Sequence, residues 1–197
     1  GSIFFTKGQP LLYSNIKNNF MKTISRVMFM CMLVTMLTSC LGNAKSDYTP
    51  SIGISYILVN PIYRNDTLIG AKDTMNVKYD DKLSAYRLDT LSISKNDTIV
   101  FAAGYNSFGN DLIAAKVNFD TTAIAFRLAM NDEFMKVLTD KSDVRNAQLY
   151  FAPGYNYVSI PMGYKPIKAG MHTIEFVVES NSKFSPSSLT MIQPVVD

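Results

Sequence analysis

The sequence predicts an all-β fold, a single antiparallel β-sandwich with one short helix. Three observations lead there. From Ile52 onward the chain is cut into short runs rich in Val, Ile, Thr, Tyr and Phe, separated by Asn, Asp, Gly and Pro. One run, Met171–Glu179, alternates with period two. Only the stretch after Asn131 carries helical spacing. A sheet with one apolar face must bury it, and eight or so strands in roughly 150 residues do so as two packed sheets.

The first run spans residues 52–59 and meets Asn60-Pro61 and the polar turn Arg64-Asn65-Asp66. Residues 75–79 form a second run, ended by Asp80-Asp81. Residues 86–94 form a third, with Leu91 and Ile93 alternating against Ser92 and Ser94. Lys95-Asn96-Asp97 is a turn, and residues 98–103 are expected to return from it as the second strand of a hairpin. Residues 114–119 and 123–128 follow, separated by Asp120-Thr121-Thr122. Asn131-Asp132 is expected to cap a short helix that puts Phe134, Val137 and Leu138 on one face. In the penultimate strand Ile174, Phe176 and Val178 share one side, and Thr173, Glu175, Val177 and Glu179 the other. The terminal strand, 189–196, contains Pro194, which suits a sheet edge.

The run Ala169-Gly170-x-His172-Thr173-Ile174-x-Phe176 before a final strand resembles the closing hairpin of bacterial immunoglobulin-like modules. The resemblance covers about the last 30 residues and implies an immunoglobulin-like sandwich or a close variant. The paired cysteines and buried Trp of antibody domains are missing, because both cysteines, Cys31 and Cys40, precede the strands and the chain has no Trp.

The segment before the strands has a different character. Met21 opens a stretch with Lys22 and Arg26, followed by the apolar run Val27–Leu37 and then Thr38-Ser39-Cys40. A basic start, a short apolar centre and small residues before a cleavage point describe a secretory signal peptide. Leu37-Thr38-Ser39-Cys40 resembles the lipobox of bacterial lipoproteins, notably those of Bacteroidetes-type bacteria. That resemblance implies cleavage before Cys40 and its acylation, palmitate included. Several acyl chains on one residue anchor stably where a single chain does not. The implied location is the outer membrane, facing the periplasm or exposed at the surface. In such lipoproteins an acidic patch after the cysteine can direct surface export, and here only Asp47 stands in that region. The expected organisation is a cloning remnant and over-extended start (1–20), a signal peptide (21–39), a tether (40–50) and the sandwich (51–197).

Removal of residues 1–39 takes Lys7, Lys17, Lys22 and Arg26 from the 19 basic residues and none of the 16 acidic ones. The formal charge moves from +3 to −1, and the argument for a nucleic-acid partner disappears with the leader. Cys40 is then the one remaining cysteine, so the domain is expected to fold without disulfides.

The near-repeat Phe101-Ala-Ala-Gly-Tyr-Asn106 and Phe151-Ala-Pro-Gly-Tyr-Asn156 allows two readings. In one, two equivalent loops present Tyr105 with Asn106 and Tyr155 with Asn156 to a glycan, the ring stacking on a sugar. In the other, two strands end in similar turns, with Gly104 and Gly154 supplying a positive φ. Tyr157 and Tyr164 extend the aromatic cluster and complete the candidate ligand-contact set, since Tyr is enriched at interfaces.

Catalytic and metal readings are weaker. Asp140 with Asp143, and Asn131 to Glu133, lack the alternating Gly-containing loop of a calcium hand and read as surface turns. Asp80-Asp81 are adjacent rather than facing, and the single His, His172, shares a strand face with Ile174. No cofactor, metal or catalytic set is expected. The expected function is a membrane-anchored, non-catalytic binding or adhesion module of the cell envelope with a protein or glycan partner. The alternative is a structural or accessory subunit of an envelope complex, with a dedicated glycan-binding module or a hydrolase ranked below it.

Overall fold

A computed structural model describes residues 48–88 and 93–197. The leader, Cys40 and residues 41–47 of the tether lie outside the described residues, as do Leu91 and Ser92 of the third run. The chain divides into two units, one of 1–41 with 62–70 and the other of 42–61 with 71–197. Of the first, only 62–70 are described, and they form the tip of a ribbon. Its turn, Asn65-Asp66, has φ of 48° and 62°, the two positive values that a two-residue type I′ hairpin requires.

In chain order the strands are β1 (Ser51–Arg64), β2 (Thr67–Met75), β3 (Val77–Asp80), β4 (Ala85–Leu88), β5 (Ile93–Ser94) and β6 (Ile99–Asn106). Then come β7 (Leu112–Phe119), β8 (Ile124–Leu128), helix α1 (Asp132–Met135), β9 (Gln148–Tyr150), β10 (Tyr157–Pro166), β11 (Gly170–Ser180) and β12 (Ser187–Val196). One sheet has the order β2-β1-β6-β10-β8. The other runs β3-β4-β12-β11-β7-β9, with β5 also beside β12. Lettered as in immunoglobulin domains, β1-β6-β10-β8 are strands A-B-E-D and β7-β11-β12 are C-F-G. The all-β, immunoglobulin-like sandwich expected from the sequence is the fold. The ladders are antiparallel except at one edge, where β4 and β5 run parallel to β12.

The core lies between the sheets, where period-two alternation sends every second side chain inward. From β6 these are Ile99, Phe101, Ala103 and Tyr105, and from β11 Ile174, Phe176 and Val178, all fully buried. Phe101 meets Phe176 edge-on across the sheets, with ring centroids 5.9 Å apart. Phe119 of β7 stacks on Phe126 of β8 at 5.0 Å. Helix α1 forms where expected: the Asn131 side chain accepts the Phe134 amide at 2.8 Å, and Phe134 and Val137 are buried.

Three local expectations need correction. β1 does not stop at Val59. Asn60 takes a φ of 49° and kinks the strand, which then continues through Pro61 to Arg64. The Lys95-Asn96-Asp97 turn forms, but its flanks are not a hairpin. β5 pairs with β12 in one sheet, and β6 pairs with β1 and β10 in the other. Pro194 is not on an edge, because β12 lies between β11 and the two short parallel strands. It falls between the residues paired to β4 (Met191, Ile192) and those paired to β5 (Val195, Val196), so its missing N–H costs no ladder bond there.

Candidate functional site

Strands β6 and β11 end, and β1, β7, β10 and β12 begin, at the same end of the sandwich. Ser51, Asn106 and Tyr157 stand side by side in register there. This end carries the β6–β7 loop (107–111), the approach to β10 (151–156) and the β11–β12 loop (181–186).

The loops are fastened to one another. Ser107 and Asn110 are buried, and the Asn110 side-chain amide donates to the Ser107 carbonyl at 3.0 Å. The Ser107 hydroxyl donates to the carbonyls of Asn110 and Asn156. Leu112 N–H donates to the Tyr155 carbonyl at 2.7 Å. Asp111 joins all three segments: its carboxylate accepts from the Gly154 amide at 3.2 Å, and its carbonyl accepts the Asn181 amide at 3.0 Å. The last tether residues join as well, since the Ser182 hydroxyl donates to the Tyr48 carbonyl at 2.9 Å and Pro50 is buried.

The near-repeat segments therefore meet, but not as equivalents. The first is strand, with Gly104 extended inside β6. The second is loop, with Gly154 at φ 98°. The positive-φ role expected of both glycines holds only for Gly154. Tyr105 must leave the contact set because strand alternation turns it inward, where it is fully buried. Tyr164 leaves it for the same reason, at 2% exposure. Burial pushes both phenols far above the ordinary tyrosine range. Asn106, Tyr155, Asn156 and Tyr157 do come together at this end. Asn106 uses its side-chain oxygen to accept the Phe108 amide at 2.8 Å, and Tyr155 is half-buried. Asn156 and Tyr157 are exposed.

Tyr157 reaches onto the outer face of the β1-β6-β10-β8 sheet. A methyl group built on Gly104 would lie 3.2 Å from its hydroxyl, so the ring covers the glycine. Beyond it the outward positions are mostly small, Gly53, Ser55, Ala102, Ser159 and Gly163, with Pro161 opposite the buried Ala102 and Val100 opposite Gly163. The result is a strip of sheet with mostly small side chains, bordered at the loop end by the exposed Tyr157 ring and by Asn106.

The sequence reading missed Asp111 and the exposed aromatic residues of the loops. Tyr48, Phe108 and Phe184 are 69%, 42% and 51% exposed, and Tyr48 and Phe108 pack edge-on at 5.9 Å. Phe108 and Phe184, each flanked by Ser, Asn, Gly or Lys, already mark apolar side chains in polar loops.

The other flagged groups are occupied locally. Asp143 accepts the Arg145 and Asn146 amides of its own turn, at 3.1 and 3.2 Å. Asp80 caps Lys82 and Leu83 and faces Arg87 at 3.6 Å. His172 is half-buried on the Ile174 face and donates from Nε2 to the Lys168 carbonyl at 2.6 Å. Among the described residues no three His, Cys, Asp or Glu side chains are grouped to hold a metal ion, and no helix is long and apolar enough to cross a membrane.

Geometry and topology thus define an immunoglobulin-like β-domain with a fastened loop end. No family model and no curated protein matches the sequence. Among solved structures, the chain is similar to a PapD-like domain of human CEP192, at 8% identity and a TM-score of 0.33, over 62% of this chain and 85% of that one. It is also similar to the cupredoxin domain of amoB from Nitrosocaldus yellowstonii, at 13% identity and a TM-score of 0.31, over 51% and 56%. A family 123 glycoside hydrolase from Clostridium perfringens matches at 10% identity and a TM-score of 0.37, over 76% of this chain and 27% of that one. The chain spans about a quarter of that hydrolase and 23% of a secreted serine protease, VesC, from Vibrio cholerae.

Proposed function

We propose that the chain is a lipid-anchored, non-catalytic binding module of the bacterial cell envelope, held to the outer membrane through Cys40. The anchor rests on the leader and lipobox pattern of residues 21–40. The binding role is supported by one arrangement: the exposed Tyr157 ring, with Asn106 and Asn156 at the same loop end, beside a strip of mostly small residues on the outer sheet face. An aromatic ring and paired amides suit a glycan or a protein surface, and a stiff sheet loses little entropy in presenting them.

The test combines a pull-down of envelope proteins with a glycan array, using the full chain and its Tyr157→Ala and Asn156→Ala variants. Capture of a glycan or of one stoichiometric protein, weakened about tenfold or more in both variants, supports this reading. Capture that neither variant changes places the contact elsewhere. Turnover of a screened substrate by the wild type overturns the non-catalytic assignment.

A further inference from the structure

The loop end presents three rings, Tyr48, Phe108 and Phe184, on a tightly built platform. The β11–β12 loop is held by its own serines. Ser180 N–H donates to the Ser185 hydroxyl at 2.8 Å, and Phe184 N–H donates to the Ser182 hydroxyl at 3.2 Å. The rings are therefore displayed by a fixed backbone. Among the described residues of these loops the charged groups are Asp111 and Lys183. Asp111 is engaged in loop hydrogen bonds, and the Lys183 ammonium lies 5.0 Å from the Phe184 ring centroid. Exposed aromatic residues with little net charge suit the boundary between lipid headgroups and acyl chains.

The tether supplies the second argument. Tyr48, the first described residue, sits at this same end, with its carbonyl bound to Ser182. Only seven residues, eight chain steps, separate it from Cys40. Fully extended they reach about 29 Å, and as a flexible chain about 16 Å. The ten residues of β10 alone span roughly 33 Å from this end to the other. An anchor at Cys40 thus holds Tyr48 and the loop end within about 29 Å of the bilayer, whereas it places no such limit on the opposite end.

We infer that the Tyr48–Phe108–Phe184 tip docks on the bilayer that holds the anchor, so that the outer sheet face stands roughly upright from the membrane. This rests on acylation of Cys40, as proposed above. It adds a second, non-covalent membrane contact that fixes the orientation of the domain.

The absence of tryptophan makes the test direct, because each introduced Trp is the single reporter. Phe108→Trp, Phe184→Trp and, at the far end, Ile167→Trp are made in the full lipoprotein. Each is reconstituted into phosphatidylethanolamine–phosphatidylglycerol vesicles with or without brominated acyl chains. Circular dichroism confirms that each variant keeps the wild-type β signature. Docking predicts blue-shifted emission and quenching of about twofold or more at 108 and 184, with neither at 167. Equal quenching at all three positions, or none at 108 and 184, overturns the inference. Palmitate labelling, compared with Cys40→Ala, separates the two proposals. Labelled protein with an unquenched tip sinks the docking and leaves the anchor. Unlabelled protein whose tip is quenched by added vesicles sinks the anchor and leaves the docking. Unlabelled protein with an unquenched tip sinks both.

Discussion

The Tyr164 hydroxyl donates to the Gln193 side-chain oxygen at 2.7 Å, joining β10 of one sheet to β12 of the other through the core. Both residues are buried, and the Gln193 amide nitrogen donates to the Pro194 carbonyl at 2.7 Å. A buried polar side chain is tolerable only when satisfied, and this pair satisfies itself between the sheets. Tyr105 lies on the inner face of the same sheet, equally buried, with a hydroxyl that has no partner.

Those two tyrosines should respond oppositely to loss of the hydroxyl. Tyr164→Phe strands the Gln193 oxygen and should destabilise by about 1–3 kcal/mol. Tyr105→Phe removes an unsatisfied group and should be neutral or stabilising by up to about 1 kcal/mol. Urea unfolding at pH 7 checks both. Burial raises both phenols in the folded state, so each stays protonated after its unfolded counterpart, near 10, has ionised. Their contribution is complete below pH 10 and declines as pH rises above it. Tyr105→Phe should make that alkaline decline shallower.

Asp97 provides the acid counterpart. Burial alone would raise its carboxyl, but hydrogen bonds from the Ser94 amide at 2.8 Å and the Asn60 side chain at 2.6 Å, with Lys72 nearby, hold it below its ordinary value. A lowered folded value gives stability that is present above pH 3.8 and lost as pH falls through the folded value. Asp97→Asn should flatten the acid limb of a stability–pH curve. It should also lower stability at pH 7 by about 1–2 kcal/mol, since the charge-assisted bonds weaken. An acid limb as steep as in wild type would refute this.

The same cluster explains why the strands were legible and their partners were not. Alternation in β11 and the cap on α1 are local signals, and both read correctly from the residues. The Lys95-Asn96-Asp97 turn is local too. The path of the chain beyond that turn depends on Asn60, 37 residues upstream, whose side chain donates to the Asp97 carboxylate and accepts the Thr98 amide at 2.8 Å. That contact carries β6 to β1 in the opposite sheet. Tyr105 and Tyr157 show the same limit at the site. Residue type flagged both, but only register decides that one faces the core and the other the outer strip.

Gly163 and Gly53 belong to the same outer face and should differ sharply on substitution. A methyl group at Gly163 would lie 2.7 Å from the Ile99 carbonyl oxygen, a backbone atom that cannot swing aside. At Gly53 it would meet nothing within 4 Å. Gly163→Ala should cost about 1–3 kcal/mol, as overpacking does, while Gly53→Ala should stay within about 0.5 kcal/mol. Thermal unfolding of the two variants side by side measures the difference. Equal values would mean that the β6 and β10 backbones leave room for a methyl group between them.

The face assignment of β11 carries the last prediction. Ile174 and Phe176 are fully buried, and between them Glu175 points outward, accepting the Asn118 side-chain amide at 2.9 Å on the exposed side. Ile174→Asp and Phe176→Asp each place an unpaired carboxylate between the sheets and should cost more than about 4 kcal/mol, enough to unfold a domain of ordinary stability. Glu175→Lys gives up one exposed hydrogen bond and should change stability by less than about 1 kcal/mol. Far-ultraviolet circular dichroism with urea titration separates these outcomes. Folded Asp variants beside an unfolded Glu175→Lys would put the strand one residue out of register, because a single slip exchanges the two faces.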